Sequence, residues 1–124
     1  MAHCINGYIA KQEDFKKADI KFCSLPQGFA FALELSDDFS GDYARVETSY
    51  FGGFGSQGSS CVVNGKEVFS FYQDEWDRSD SDYSDPINES LKLLGVVRDK
   101  SDEFDVINLG KYRSNRDFGL KEQE

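Results

Sequence analysis

The first residues that suggest chemistry are Gly53, Gly55 and Gly58, which match the G-x-G-x-x-G spacing of phosphate-binding loops. Such a loop works when a helix follows at once, because the helix N-terminus receives the phosphate charge. Here Ser59-Ser60-Cys61-Val62-Val63 follows, a strand-like run that ends at Asn64-Gly65. The kinase-type glycine loop does lie in a hairpin, but 124 residues cannot hold a kinase, and no lysine strand or HRD-like loop is present. The run 52–58 therefore reads as a bulged or sharply coiled bend. In an exposed loop, Phe54 and Gln57 would be its partner contacts.

The second candidate is acidic. Residues 73–85 carry Asp74, Glu75, Asp77, Asp80, Asp82 and Asp85 against Arg78 alone, a local charge of −5. Asp80 and Asp82 imitate the start of a calcium loop, but the glycine and the distal glutamate are missing. The acidic stretch around Asp37, Asp38 and Asp42 also lacks that pattern. Trp76 and Tyr83 stand among the charges. A solvated acidic loop does not explain them, whereas an interface does, since interfaces set aromatic anchors inside polar rims.

The third candidate is His3 with Cys4, Cys23 and Cys61. The cysteine count is odd, the spacing wide and no CxxC occurs, so neither a disulfide framework nor a zinc site is expected. Cys4 would point away from His3 on a strand, and a terminal histidine is poorly placed for catalysis. No catalytic residue, metal or cofactor is assigned.

Composition narrows the partners. With 23 acidic and 14 basic side chains, the net charge is −9. Nucleic-acid binders carry basic faces, and anionic membranes repel such a molecule. A basic protein partner is the complementary choice. The start of the chain lacks the basic and apolar regions of a signal peptide, no run approaches a membrane span, and reduced thiols fit a cytoplasmic protein.

The elements that must position these residues follow from pattern. The chain is expected to form one domain over 1–124, with its last residues frayed. Asn64-Gly65 predicts a type I′ hairpin in which Val63 faces Lys66 and Cys61 faces Val68. Alternation predicts strands at 45–51 and 29–35, the latter a central strand with Phe29, Phe31, Leu33 and Leu35 on one face and an alanine face on the other. That alanine face would lie under a helix or open into a groove. Residues 12–18 suit a short helix that buries Phe15. Pro86 at the first helical position, the Ile87, Leu91 and Leu94 stripe and Gly95 beyond it predict a helix over 86–94. A second helix is expected over 102–109, burying Phe104 and Ile107. The fold class is α+β: an antiparallel sheet of about five or six strands, with these last two helices on one face.

Several landmarks occur in order: Leu25-Pro26-Gln27-Gly28-Phe29-Ala30, Tyr50 to Gln57, Ile87 to Val96, Asp102-Glu103-Phe104-Asp105 and Leu109-Gly110-Lys111-Tyr112-Arg113. The pattern resembles small uncharacterised acidic bacterial proteins, some of which look like immunity proteins of toxin systems. The resemblance implies a non-catalytic binding module that occludes a basic toxin domain; it supplies no active-site residue. Asp74, Glu75, Asp77, Asp80 and Asp82 would steer the partner, with Trp76 and Tyr83 as anchors. Two alternatives stand beside it. One is a small-ligand or enzymatic domain with a pocket near 52–58, where Glu34 and Glu47 are the candidate acids and bases and Arg45 or Arg113 would pair a buried carboxylate. The other is a phage or accessory structural protein that self-associates.

Overall fold

The computed structural model describes residues 2–37, 39–51, 54–77 and 86–97, together with Ile107 and Phe118. It forms an α+β structure around one antiparallel sheet. The strands are β1 (Ala2–His3), β2 (Asn6–Lys11), β3 (Cys23–Ser24), β4 (Phe29–Ala32), β5 (Tyr43–Phe51), β6 (Phe54–Val63) and β7 (Lys66–Asp77). The helices are α1 (Gln12–Lys17) and α2 (Pro86–Leu94). The sheet has six lanes in the order β3-β4-β2-β5-β6-β7, and β1 extends the β2 lane along β5. Between β1 and β2, the Ile5 amide donates to Thr48 Oγ1 at 3.0 Å, and the Thr48 amide donates to the Ile5 carbonyl at 2.9 Å.

Alternation along the strands sends neighbouring residues to opposite faces. Ile9 and Phe31 pair across β2 and β4, and Ile9 pairs with Ala44 across β2 and β5. With Ile5, Val46 and Cys61 they form the larger core, which Ile87, Leu91 and Leu94 of α2 cover. The α2 stripe is buried as expected, while Leu93 beside it is exposed. Gly95 closes the helix at φ +103°, a left-handed conformation that suits a residue without Cβ.

The other face behaves differently. Ala10, Ala30 and Ala32 form a flat patch on which Phe15 of α1 rests. Phe15 stacks on Phe22 at 5.9 Å between centroids and meets Phe39 at 5.5 Å; Phe39 then touches Tyr43 at 5.9 Å. The described helices thus lie on opposite faces of the sheet. Helix 86–94 is where the sequence puts it. The expected helix at 102–109 lies outside the described residues apart from Ile107, which is buried in the α2 core. Phe118, beyond which the end is expected to fray, is also buried there and stacks on Phe31 at 3.7 Å, and the residues after it lie outside the described ones.

Three expectations about strands need correction. The alternation at 29–35 continues as strand only to Ala32. Leu33 then packs against the α2 core and Leu35 against the α1 core, so the two do not share a face. This strand is also not central: β4 is next to the two-residue edge strand β3, and β2 and β5 hold the middle. In the hairpin, Asn64 (φ 55°) and Gly65 (φ 77°) make the expected turn and Val63 faces Lys66, but Cys61 faces Phe69. A bulge at Val68 causes the change by adding one residue to β7. It turns Phe69 toward the core and leaves Val68 exposed.

Candidate functional site

The glycine run is not a loop beyond residue 53. β6 begins at Phe54, and its register with β5 is continuous from Phe51–Phe54 to Tyr43–Val62. From Phe54 on the expected bulge is not in the glycine run itself; the β6–β7 ladder shifts beside it, where Gly55 pairs with Trp76 and Gln57 with Gln73. Two steps on β6 thus match three on β7, so the additional residue lies at Asp74 or Glu75. Gln57 is not an exposed loop contact. It is 4% exposed on the core face of β6, and its Oε1 accepts from the Ile87 amide at 3.5 Å. That amide belongs to the first turn of α2, where backbone donors have no partner within the helix. Two residues further along β6, on the same face, Ser59 Oγ is 2.7 Å from Ser90 Oγ and 2.9 Å from the Arg45 carbonyl. A hydroxyl has one proton, so Ser59 donates to the carbonyl and accepts from Ser90. Ser90 occupies the i+3 position of the Ile87, Leu91, Leu94 stripe. A small polar residue at that spacing was the available signal that the helix docks on a polar strand position.

The acidic residues are also placed differently from expectation. Asp74, Glu75, Trp76 and Asp77 are the last four residues of β7, not part of a loop. Acidic residues are poor strand formers, but propensity yields to a partner strand in register, and Phe54 and Gly55 pair with Asp77 and Trp76. Asp80, Asp82 and Tyr83 lie outside the described residues. β7 is the outermost lane, and among the described residues it pairs only with β6. Its formal charge is −3, from Glu67, Asp74, Glu75 and Asp77 against Lys66. Three of its large apolar residues are open to solvent: Val68 is 51%, Phe71 46% and Tyr72 54% exposed.

Beyond the α1 core, the outer face of the sheet opens into a groove of about 370 Å³ lined by Arg45, Glu47, Gly58, Ser60, Ser70 and Tyr72. Arg45 and Glu47 form an ion pair at 3.9 Å, with side chains 49% and 34% exposed. This is a solvent-screened pair on an open surface, not a carboxylate buried beside a cation. Glu34 is exposed beyond the end of β4. Glu34 and Glu47 both lie on open surface and are not brought together.

The thiols are dispersed. Cys4 is exposed, Cys23 lies on the β3 edge and Cys61 faces the core from β6. The last two are four lanes apart, roughly 19 Å at the usual strand spacing, which is too far for a shared zinc ion. Burial, and secondarily the charge of Asp42, push the Cys61 thiol up to about 11. His3 pairs with Tyr50 through the β1–β5 ladder. Among the described residues no helix is long and apolar enough to cross a membrane.

No protein-family model, curated protein or solved structure matches this chain.

Proposed function

We propose that this is a non-catalytic protein-binding module whose acidic edge strand engages a basic protein partner, in the manner of an immunity protein that occludes a toxin domain. The observation that carries this reading is β7: the outermost lane of the sheet, with net charge −3 and exposed Phe71 and Tyr72. Whole-molecule charge of −9 speeds the approach of a cationic surface, and apolar contact then slows its departure. The same charge disfavours nucleic acid. Three free cysteines support action in the reducing cytoplasm, and the landmark resemblance supports a bacterial source.

The test is capture from the native host, with bound proteins identified by mass spectrometry. A triple variant, Asp74→Lys, Glu75→Lys and Asp77→Lys, is run beside the wild type. A basic partner held by the wild type should be lost or should associate at least about tenfold more slowly with the variant, with a flatter salt dependence. Equal recovery and equal rates would remove the acidic edge from the mechanism. A toxin gene next to this one would identify the partner class.

A further inference from the structure

Resting on that reading, we infer that the partner docks by strand addition: an extended segment pairs with the outer edge of β7, which among the described residues has no strand beside it, and is apolar along residues 69–73 and basic where it meets 74–77. An edge strand presents alternate N–H and C=O groups outward as a template for another chain. Proteins usually blunt such edges with short strands, proline or lysine. The β3 edge is blunted in this way, being two residues long with Pro26 just beyond it. The β7 edge is twelve residues long, contains no proline, and has a single lysine at its first position.

The two bulges set where a strand can add. One lies at Val68 and the other at Asp74 or Glu75. Between them, residues 69–73 pair regularly with Cys61 back to Gln57, so five consecutive residues keep ladder geometry. Phe71 and Tyr72 lie in this stretch, opposite Ser59 and Gly58 and thus on opposite faces of the sheet. An added strand with apolar side chains on both of its faces would cover both. Past the second bulge the charge is acidic, which selects lysine or arginine in the incoming segment and disfavours a second copy of this acidic chain. Main-chain pairing supplies affinity in this mode, and the flanking side chains supply choice.

The test uses the full chain, labelled with ¹⁵N, and a synthetic peptide of Thr-Val-Thr-Val-Thr flanked by lysine pairs. A second peptide has the same sequence and charge with its five central amides N-methylated. The unmodified peptide should bind at least about tenfold more tightly than the methylated one. On binding, every second amide within 69–73 should exchange at least about tenfold more slowly, a period of two that only backbone pairing produces. Equal binding of both peptides, or binding without alternating protection, overturns strand addition and leaves the basic-partner reading standing. Binding of neither peptide, in a chain that still captures a basic host protein, also overturns strand addition. Binding of neither, with no basic protein captured, overturns both. Concentration-dependent protection of the same amides without peptide would make a second copy the occupant and overturn the basic segment.

Discussion

The two edges of this sheet are built to different ends. At the β3–β4 edge the backbone is short and covered on both sides. Phe29 and Phe31 lie under the α2 core, and Ala30 and Ala32 lie under α1, so all four residues of β4 are buried. At the β7 edge the strand is twelve residues long, its outer face opens into the Arg45–Glu47 groove, and Val68, Phe71 and Tyr72 are about half exposed. Close packing on two faces makes one edge a source of stability. Partial cover on the other leaves apolar surface exposed and the strand locally less stable.

Substitutions at the two edges should therefore have unequal effects. The largest is expected at Phe31, which packs beneath Gly7 and stacks on Phe118. Phe31→Ala should destabilise by about 3–5 kcal/mol, read as a lower urea midpoint. A loss below ~1 kcal/mol would mean that this edge is not the stable one.

A pair of glycines sharpens the contrast. A Cβ on Gly7 would run into the Phe31 ring and sit 2.6 Å from the Ala32 carbonyl oxygen, both fixed in the interior. Gly7→Ala should cost about 1–3 kcal/mol. A Cβ on Gly58 would also be crowded, 2.6 Å from Tyr72 Cδ2 and 2.9 Å from Glu47 Oε1. Those side chains border an open groove and can swing aside, so Gly58→Ala should cost less than ~1 kcal/mol. Equal losses in thermal unfolding would contradict the division between edges.

Cys61 tests how dry the α2 face is where it approaches β7. Its thiol holds its proton up to about 11, against 9.0 ordinarily, because burial and then Asp42 disfavour the thiolate. The folded state therefore binds this proton more tightly than the unfolded chain. The associated stability is intact below about pH 9 and is lost as the pH rises through 11. Cys61→Ala should lose less stability than the wild type between pH 8 and pH 10.5 in urea titrations. At pH 8, a thiol reagent should modify exposed Cys4 rapidly and leave Cys61 intact. Rapid modification of Cys61 in the folded protein would show that the face is open.

The smallest effect is expected at Val68, the bulged residue of the outermost lane. Val68→Lys should change stability by no more than ~0.5 kcal/mol. A shift of several kcal/mol would show that the β7 edge is part of the packed interior.

Local sequence determined the features that depend on a few adjacent residues. Asn64 and Gly65 specify their turn because both must take positive φ. Pro86, the Ile87–Leu91–Leu94 spacing and Gly95 bound α2, and Phe15 is identifiable as the anchor of α1. The alternation of Ala44, Val46 and Thr48 marks the core face of β5. Tertiary structure alone decided which strands meet and what that pairing imposes. It put α1 and α2 on opposite faces, sent Leu33 and Leu35 to different cores, and drew Asp74 to Asp77 into a strand. It also turned Gln57 and Ser59 inward as polar docking points for α2. The physical reason is range: a turn or helix is governed by neighbours within about four positions, whereas a strand acquires its length, register and buried face from a partner distant in the chain.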